Sequence, residues 1–346
     1  MNIVIRADSS TLIGSGHIMR CLTLAERYRK EGNHVAFVCR DLTGNMAYLV
    51  LDKGFTLMML PAAEKRHDLT GYAKWLTVTQ AQDAAETIDV IQKMGLIDRL
   101  VVDSYAIDAT WEKQLRSYVT EIMVIDDLAN RQHDCDILLD QNFYLNGKSR
   151  YQGLLPEHCR LLLGPKYALL REEFYQIKKS MRIRDEQLRN ILVFYGGVDA
   201  TDETSKAVKA LQVLRYTGVM CDVQVTVVVG ASNERKKKIA CLCRQTGFRY
   251  LCQVSNMAEL MAEADLMLGA GGSTTWERCF LQLPAIVTAV AENQVQICKD
   301  CAKEELIFYL GYWDAVYQED ICKAINKILL SSQLLVMQRK MSQLMG

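Results

Sequence analysis

The chain opens with a short β-branched apolar run that leads directly into a glycine turn and a helix start. Ile3, Val4 and Ile5 form this run, and the pattern predicts a strand buried on both faces of a parallel sheet. The polar segment that follows ends with Gly14 and Gly16, which can bend the backbone or let a ligand approach closely. Because open α/β sheets bind ligands at the carboxyl ends of their strands, we expect a ligand-binding loop at residues 8–17.

The rest of the chain alternates in the same way between apolar runs and helical segments, such as the predicted crossover helix at 72–94. The runs predicted as strands are 35–39, 55–60, 100–102, 122–125, 137–139, 190–195, 223–229, 250–254, 266–268 and 285–288. Strand and helix alternation of this kind is typical of βαβ units and parallel sheets. The fold class predicted is α/β, with two Rossmann-like doubly wound domains.

The pattern is interrupted once, which sets the predicted domain boundaries. Residues 142–166 contain several glycines and prolines and read as loop and interdomain crossing, and a charged segment follows at 178–189. We expect an N-terminal domain at 1–165, a linker at 166–188, a second domain at 189–318 and a C-terminal helix at 319–346. Two domains also suit 346 residues, which is more than one core usually holds.

Charge and cysteine content indicate which binding partners and which cellular compartment to expect for this chain. Lys plus Arg and Asp plus Glu both total 41, so no overall basic field points to nucleic acid and small-molecule partners are expected. The sequence has no recognisable signal peptide and no apolar run long enough to span a bilayer. The 12 cysteines therefore predict a reducing, cytoplasmic setting, with the CxxC at 298–301 and the CxC at 241–243 serving core packing.

Two side chains of the opening loop are candidates for chemistry. His17 stands where the helix begins, and an imidazole is the commonest general base near neutral pH. Asp8 follows the first strand and could orient the imidazole ring or bind sugar hydroxyls. The alternative for His17 is a helix-capping or core histidine, and the alternative for Asp8 is a cap of the turn.

A second glycine stretch follows the apolar run at 266–268. It places small residues and hydroxyls at a predicted strand-to-helix turn, namely Gly271, Gly272, Ser273, Thr274 and Thr275. Backbone N–H groups in such a turn can hold phosphate oxygens. Glu277 lies one helical turn after Ser273, so its carboxylate could accept both hydroxyls of a ribose. The alternative, a glycine turn required only for close helix packing with a solvated Glu277, stays open at this point.

Other cofactor sites fit the sequence less well. Gly14 and Gly16 resemble the start of a dinucleotide fingerprint, but Met19 occupies the third glycine position and Arg40 stands where an acidic residue should bind the ribose. No glycine-rich turn is followed by Lys and Ser or Thr, as a Walker loop requires. Aspartates at the predicted strand ends 103 and 126–127 could bind a metal, although they form no tight DxD cluster. We therefore expect neither a cofactor nor a metal.

Several longer segments resemble the UDP-sugar hydrolases of pseudaminic acid biosynthesis. They are RADSSTLIGSGHIMRCLTLA, HDCDILLDQNFY, GLLPEHC, GPKYALLREEFY, YGGVDATD, AGGSTTWERCFLQLPAI and AENQ, in the family's order. The likeness covers nearly the whole chain, and the chain departs from the shortest members by longer insertions in both halves. It implies the GT-B fold, shared with the lipid II-forming N-acetylglucosaminyltransferase, with the active site in the cleft between the domains.

The resemblance also implies a reaction and roles for residues. The reaction is hydrolysis of UDP-2,4-diacetamido-2,4,6-trideoxy-β-L-altropyranose with inversion at the anomeric carbon, a step of nonulosonic acid biosynthesis associated with flagellin glycosylation. His17 falls on the general-base position and Tyr105 on the tyrosine after the DxY strand end. The second domain then binds UDP, through Glu277 and the polar pair Asn293 and Gln294, and the turn at Gly197 is counted with the substrate site.

Three other functions remain open on the sequence alone. A glycosyltransferase of the same fold needs the same UDP site and a base, so only the family likeness separates it from a hydrolase. A non-catalytic UDP-sugar binding subunit would have no need of a base facing the sugar. A hydrolysing 2-epimerase of the sialic acid type is the third, although its motifs are not found. The sequence predicts no oligomeric state.

Overall fold

The computed structural model describes residues 1–62, 68–272 and 274–346. These residues form two compact units, each with its own sheet. The first unit comprises residues 1–142 and 146–169, and the second comprises 143–145 and 170–346.

The first unit is a seven-stranded parallel sheet with the order β3-β2-β1-β4-β5-β6-β7. Its strands are β1 (Asn2–Ala7), β2 (His34–Arg40), β3 (Thr56–Leu60), β4 (Ile97–Asp103), β5 (Val119–Ile125), β6 (Ile137–Asp140) and β7 (Arg160–Leu163). Its α-helices are α1 (Gly16–Lys30), α2 (Tyr48–Asp52), α3 (Gln80–Ile91), α4 (Ala109–Leu115) and α5 (Gly147–Arg150). Short 3₁₀ helices lie at Gly71–Trp75, Gln92–Met94, Arg116–Tyr118 and Pro165–Tyr167.

The second unit repeats this order of strands in a six-stranded parallel sheet, β10-β9-β8-β11-β12-β13. Its strands are β8 (Asn190–Phe194), β9 (Gln224–Val229), β10 (Arg249–Cys252), β11 (Leu266–Ala270), β12 (Ala285–Ala289) and β13 (Phe308–Tyr312). Its α-helices are α6 (Glu172–Ser180), α7 (Glu203–Tyr216), α8 (Lys236–Thr246), α9 (Met257–Glu263), α10 (Thr274–Phe280), α11 (Glu292–Lys303), α12 (Gln318–Leu329) and α13 (Gln333–Met345), with a 3₁₀ turn at Trp313–Ala315.

Both faces of the first sheet are covered, as the apolar run in β1 predicts. Ile3 and Ile5 belong to one buried cluster together with Ile18 of α1. Val4 points to the opposite face and packs in a second cluster with Trp111 of α4. The alternation of side chains along a strand therefore supplies both cores at once. The α/β class with two doubly wound parallel sheets is confirmed.

The structure departs from the predicted elements at several places. The predicted helix at 72–94 is interrupted, because Thr77 has a positive φ of 63° and α3 starts only after Thr79, whose hydroxyl accepts the Gln82 N–H. Strand β7 lies inside the segment predicted as loop, and β13 was not predicted. The terminal segment 319–346 contains two helices, α12 and α13, instead of one. No helix in the described residues is both long and apolar enough to cross a membrane.

A buried ion network lies on the α3 side of the first sheet. Asp83 of α3 accepts hydrogen bonds from Arg6 at 2.8 Å, from Arg40 at 2.7 Å and from the Trp111 indole at 2.9 Å. Both guanidinium groups are fully buried. Burial alone would raise the pKa of Asp83, but the two arginines outweigh burial and lower it below its ordinary value. The network ties β1, β2 and α3 together by charge.

We predict that Asp83→Asn lowers the free energy of unfolding by about 3–5 kcal/mol, because it leaves two buried guanidinium groups without their shared anion. Urea denaturation followed by tryptophan fluorescence measures the loss. Glu26→Gln is the control, since the Glu26–Lys53 ion pair is exposed and should contribute at most about 1 kcal/mol.

The same comparison has a definite pH dependence. A depressed carboxyl pKa stabilises the fold above the unfolded-state value of about 3.9, and this contribution is lost as the pH falls through the folded value. The difference between wild type and Asp83→Asn should therefore shrink below about pH 4. Equal losses for Asp83→Asn and Glu26→Gln at neutral pH would contradict the role of the network.

Candidate functional site

The loop before α1 is held by its own hydrogen bonds. The Ser10 hydroxyl accepts the N–H groups of Leu12 and Ile13, and the Gly14 N–H donates to the Ser10 carbonyl at 2.8 Å. Gly14 has a φ of +79°, a conformation that suits glycine. Gly16, the first residue of α1, has open space beside it. This tight turn fixes the position from which His17 enters the helix.

Asp103, the last residue of β4, holds the His17 ring. The Nδ1 atom of His17 lies 2.6 Å from Oδ1 of Asp103. An ionised carboxylate can only accept, so Nδ1 carries the proton and Nε2 is left as the acceptor nitrogen. β4 lies beside β1 in the sheet, which brings the end of one strand next to the helix that follows the other.

Arg20 binds the same carboxylate through two nitrogen atoms. Its Nε and Nη2 atoms each lie 2.6 Å from an oxygen of Asp103. Burial alone would raise the pKa of Asp103, but the charge of Arg20 and the contact with His17 hold it well below the usual range. Asp103 is therefore an anion at neutral pH, and it positions the His17 ring.

Two aromatic rings pack against the same imidazole, and a third packs against both of them. The Tyr105 ring lies 4.8 Å from the His17 ring and the Trp75 ring 5.6 Å from it, both edge to face. Tyr72 contacts both Trp75 and Tyr105. The Tyr105 hydroxyl donates to Asp127 at 2.5 Å, and burial together with that anion raises its pKa, which keeps the phenol protonated. Trp75 was not predicted, since a 3₁₀ turn gives no periodic signal.

Asp8 has partners other than the imidazole. Its Oδ1 atom accepts from Arg6 at 2.6 Å and from the Arg40 backbone N–H at 2.7 Å, and these bonds join it to the buried ion network. Its Oδ2 atom is buried and has no hydrogen-bond partner in the described residues. The ring-orienting contact considered for Asp8 is made by Asp103.

The aspartates weighed as metal ligands have other contacts. Asp103 binds His17 and Arg20, Asp126 forms an ion pair with Arg131 at 2.8 Å, and Asp127 accepts from Tyr105. Among the residues described, no three His, Cys, Asp or Glu side chains are grouped as metal ligands would be.

The second glycine stretch joins β11 to α10, as predicted. A Cβ on Gly271 would lie 2.3 Å from the Cys298 sulfur, so close packing against α11 alone already requires glycine there. Gly272 has more space, with the Gln294 amide nitrogen 3.8 Å from its Cβ position. Thr274 begins α10, and the buried Thr275 hydroxyl has no partner in the described residues. Ser273 lies outside the described residues.

Glu277 lies on α10 and forms an ion pair. Its Oε1 atom accepts from Nε of Arg171 at 3.1 Å, and Arg171 also pairs with Glu173. Burial raises the pKa of Glu277 above its ordinary value, although Arg171 partly offsets this. Among the described residues the bond from Arg171 is made to Oε1, and Oε2 of the same carboxylate can accept from a hydroxyl.

The remaining predicted residues of the second unit lie at strand and helix ends. Gly197 follows β8 and its carbonyl lies 2.2 Å from where a Cβ on Gly230 would be, so the loops after β8 and β9 touch through backbone. Gln294, in the first turn of α11, accepts the Val290 N–H at 3.0 Å, and Asn293 beside it is exposed.

Comparisons with known proteins agree with this arrangement of strands and turns. Residues 190–344 match the family model described as the glycosyltransferase family 28 C-terminal domain. The chain is 28% identical over 306 residues to a UDP-2,4-diacetamido-2,4,6-trideoxy-β-L-altropyranose hydrolase of Campylobacter jejuni, a match that covers 88% of this chain and 97% of the relative. The resemblance predicted from the sequence is confirmed.

Further matches are more distant. The spore coat polysaccharide biosynthesis protein SpsG of Bacillus subtilis is 24% identical over 54% of each chain. Among solved structures, MurG of Acinetobacter baumannii aligns with a TM-score of 0.68 at 14% identity, covering 99% of this chain and 94% of that one. The spinosyn rhamnosyltransferase SpnG in complex with thymidine diphosphate aligns with a TM-score of 0.60 at 15% identity, over 99% and 95%. These structures show a GT-B type fold.

We predict that the His17 ring is fixed as the Nδ1–H tautomer and that Asp103→Asn disturbs this. Asparagine replaces one carboxylate oxygen by an NH₂ group, and in either orientation that group faces an N–H of Arg20. Long-range ¹H–¹⁵N NMR of the imidazole groups measures the tautomer, with His17→Gln to assign the signal among the 5 histidines. An Nε2–H tautomer in the wild-type protein would contradict the assignment.

Proposed function

We propose that this chain is a nucleotide-sugar hydrolase that acts on UDP-2,4-diacetamido-2,4,6-trideoxy-β-L-altropyranose. The products are UDP and free 2,4-diacetamido-2,4,6-trideoxy-L-altrose, as in pseudaminic acid biosynthesis. The observation that carries the proposal is the His17–Asp103 pair, which leaves one imidazole nitrogen free to accept a proton. The named activity of the Campylobacter jejuni relative supports the choice of substrate.

The first unit supplies the base in this proposal. Nε2 of His17 removes a proton from water, and the water oxygen attacks the anomeric carbon on the face opposite the diphosphate, which inverts that carbon. Asp103 stabilises the imidazolium that forms, as a carboxylate does beside a catalytic histidine. Because UDP leaves as a stable anion, its departure requires no strong acid, so a single base is enough.

The second unit supplies the nucleotide site in this proposal. Backbone N–H groups of the turn at 271–275 hold the diphosphate and stabilise the charge that develops on it as the C–O bond breaks. Glu277 accepts the ribose hydroxyls with Oε2, while Arg171 keeps the carboxylate in place through Oε1. Gly197, Asn293 and Gln294 are assigned to the same nucleotide site. The two roles require both units to act on one substrate molecule.

We predict that His17→Asn lowers turnover by on the order of 10²-fold or more and leaves UDP-sugar binding nearly unchanged, because it removes the base but keeps a polar side chain. Turnover is measured as UDP release, and binding by calorimetry. The matched control is His34→Asn, since His34 is exposed at the start of β2. Turnover in His17→Asn equal to that of the control would overturn the base assignment.

The same assay shows which bond of the UDP-sugar is cleaved and which anomer of the sugar is formed. In ¹⁸O-water, attack at the anomeric carbon leaves the released UDP without label, and NMR identifies the anomer formed before mutarotation. Label in UDP would place the attack at phosphorus.

We predict that Glu277→Ala weakens UDP binding by roughly 10- to 100-fold, since hydrogen bonds to a charged group contribute about 1.5–3 kcal/mol. Calorimetric titration with UDP measures this. Glu319→Ala, an exposed glutamate of α12, serves as the control. An affinity for UDP equal in both variants would count against the ribose contact, and it would leave the His17 assay unaffected.

A glycosyltransferase is the second candidate, favoured by the family 28 domain match and by the structural similarity to MurG. It uses the same nucleotide site and transfers the sugar to an acceptor hydroxyl instead of water. UDP release that occurs only after an acceptor is added would favour the transferase over the hydrolase.

A further inference from the structure

Two cysteines of the first unit have their sulfur atoms in contact. The Sγ atoms of Cys135 and Cys159 lie 3.6 Å apart. Cys135 is fully buried just before β6, and Cys159 is partly exposed just before β7. All 12 cysteines are free thiols in this structure. These two positions are 24 residues apart in sequence and are adjacent only because β6 and β7 pair.

The backbone segments that carry the two thiols are hydrogen-bonded to each other. Arg160 donates its N–H to the Asp136 carbonyl at 2.8 Å, so the residues directly next to the two cysteines are hydrogen-bonded to each other. The pairing of β6 with β7 continues this ladder from Ile137 and Arg160 onward. This backbone pairing holds the two sulfur atoms next to each other.

The surroundings favour reaction at Cys159. Arg116 forms ion pairs with Asp136 at 2.5 Å and Asp134 at 3.0 Å, the two residues that flank Cys135, so a cation and two carboxylates lie close to the thiols. A hydrogen bond from Cys135 lowers the pKa of the Cys159 thiol, and the same contact together with burial raises the pKa of Cys135. A partly exposed thiol with a lowered pKa, next to a second thiol, is the usual arrangement of an oxidisable pair.

We propose that Cys135 and Cys159 form a reversible dithiol–disulfide site that is oxidised by hydroperoxides. The Cys159 thiolate attacks the peroxide, which leaves as an alcohol or water, and becomes a sulfenic acid. The Cys135 sulfur then attacks the Cys159 sulfur, and its proton leaves with the expelled hydroxide as water. Two thiols are oxidised by two electrons and one peroxide is reduced. A dithiol reductant reverses the reaction.

A disulfide between Cys135 and Cys159 would affect the stability of the first unit. β7 is the edge strand of the first sheet, and the chain continues from it through 165–169 toward the second unit. A disulfide joins this edge to the segment before β6 and closes a loop of about two dozen residues, which restricts the unfolded chain. Oxidation should therefore stabilise the first unit rather than unfold it.

The test uses the full-length wild-type protein and hydrogen peroxide. After oxidation, free thiols are blocked with N-ethylmaleimide, and a non-reducing tryptic digest is analysed by mass spectrometry. We expect the peptide 132–148 linked to the peptide 151–160, each of which contains one cysteine. The link should disappear after treatment with dithiothreitol. Thermal unfolding should shift upward by several degrees on oxidation.

Variants separate this site from general oxidation. Cys159→Ser and Cys135→Ser should both lose the link and the thermal shift, whereas Cys221→Ser, at an exposed cysteine, should keep both. Absence of the 135–159 link at peroxide concentrations that oxidise Cys221 would overturn the proposal. So would Cys159 recovered only as sulfinic acid, or linked to a different cysteine. None of these readouts depends on the proposed hydrolase activity.

Discussion

The carboxylate of Asp103 is the interaction on which the candidate site depends. It is buried, and it accepts from His17 and twice from Arg20. A buried anion is costly unless it is paired, and the guanidinium group of Arg20 supplies that pairing, sharing Oδ1 of Asp103 with the imidazole. Arg20 therefore stabilises the ionised form of Asp103, and the Asp103 carboxylate fixes the orientation of the His17 ring. In that orientation Nε2 of His17 is the acceptor nitrogen. Removing Arg20 would leave the buried Asp103 carboxylate without its charged partner.

In the second unit, close backbone packing positions the loops of the candidate nucleotide site, whereas in the first unit charged contacts position the candidate base. Gly271 and Gly230 each lie against atoms that leave no room for a Cβ, which brings α11 and the loop after β8 close to the ends of the strands. This explains part of the glycine stretch without any ligand. The packing and the nucleotide roles are compatible, since a turn that must be bare of side chains also exposes its backbone N–H groups.

The sequence predicts most of the strands but little of the contact between them. Runs such as Ile3–Val4–Ile5 are unambiguous because they are β-branched and buried on both faces. β7 was missed because it lies among loop-forming residues, and β13 because Gly311, with a φ of +134°, interrupts it. Asp103 was considered as a metal ligand, and its contact with His17 could not be read because it depends on β4 lying beside β1. Asp8 is nearer to His17 in sequence, yet it binds Arg6.

The choice between water and an acceptor as nucleophile depends on the surroundings of His17, since the nucleotide side is common to both reactions. Aromatic rings pack against this imidazole. The ring centroids of Tyr105 and Trp75 lie 4.8 Å and 5.6 Å from that of His17, and Tyr72 packs against both of these rings. Tyr105 is further fixed by its bond to Asp127. A water molecule needs only one hydrogen bond to Nε2 and little volume, whereas an acceptor hydroxyl brings a whole molecule with it. In the proposed mechanism, aromatic side chains packed this closely against His17 suit a water molecule better than a larger acceptor.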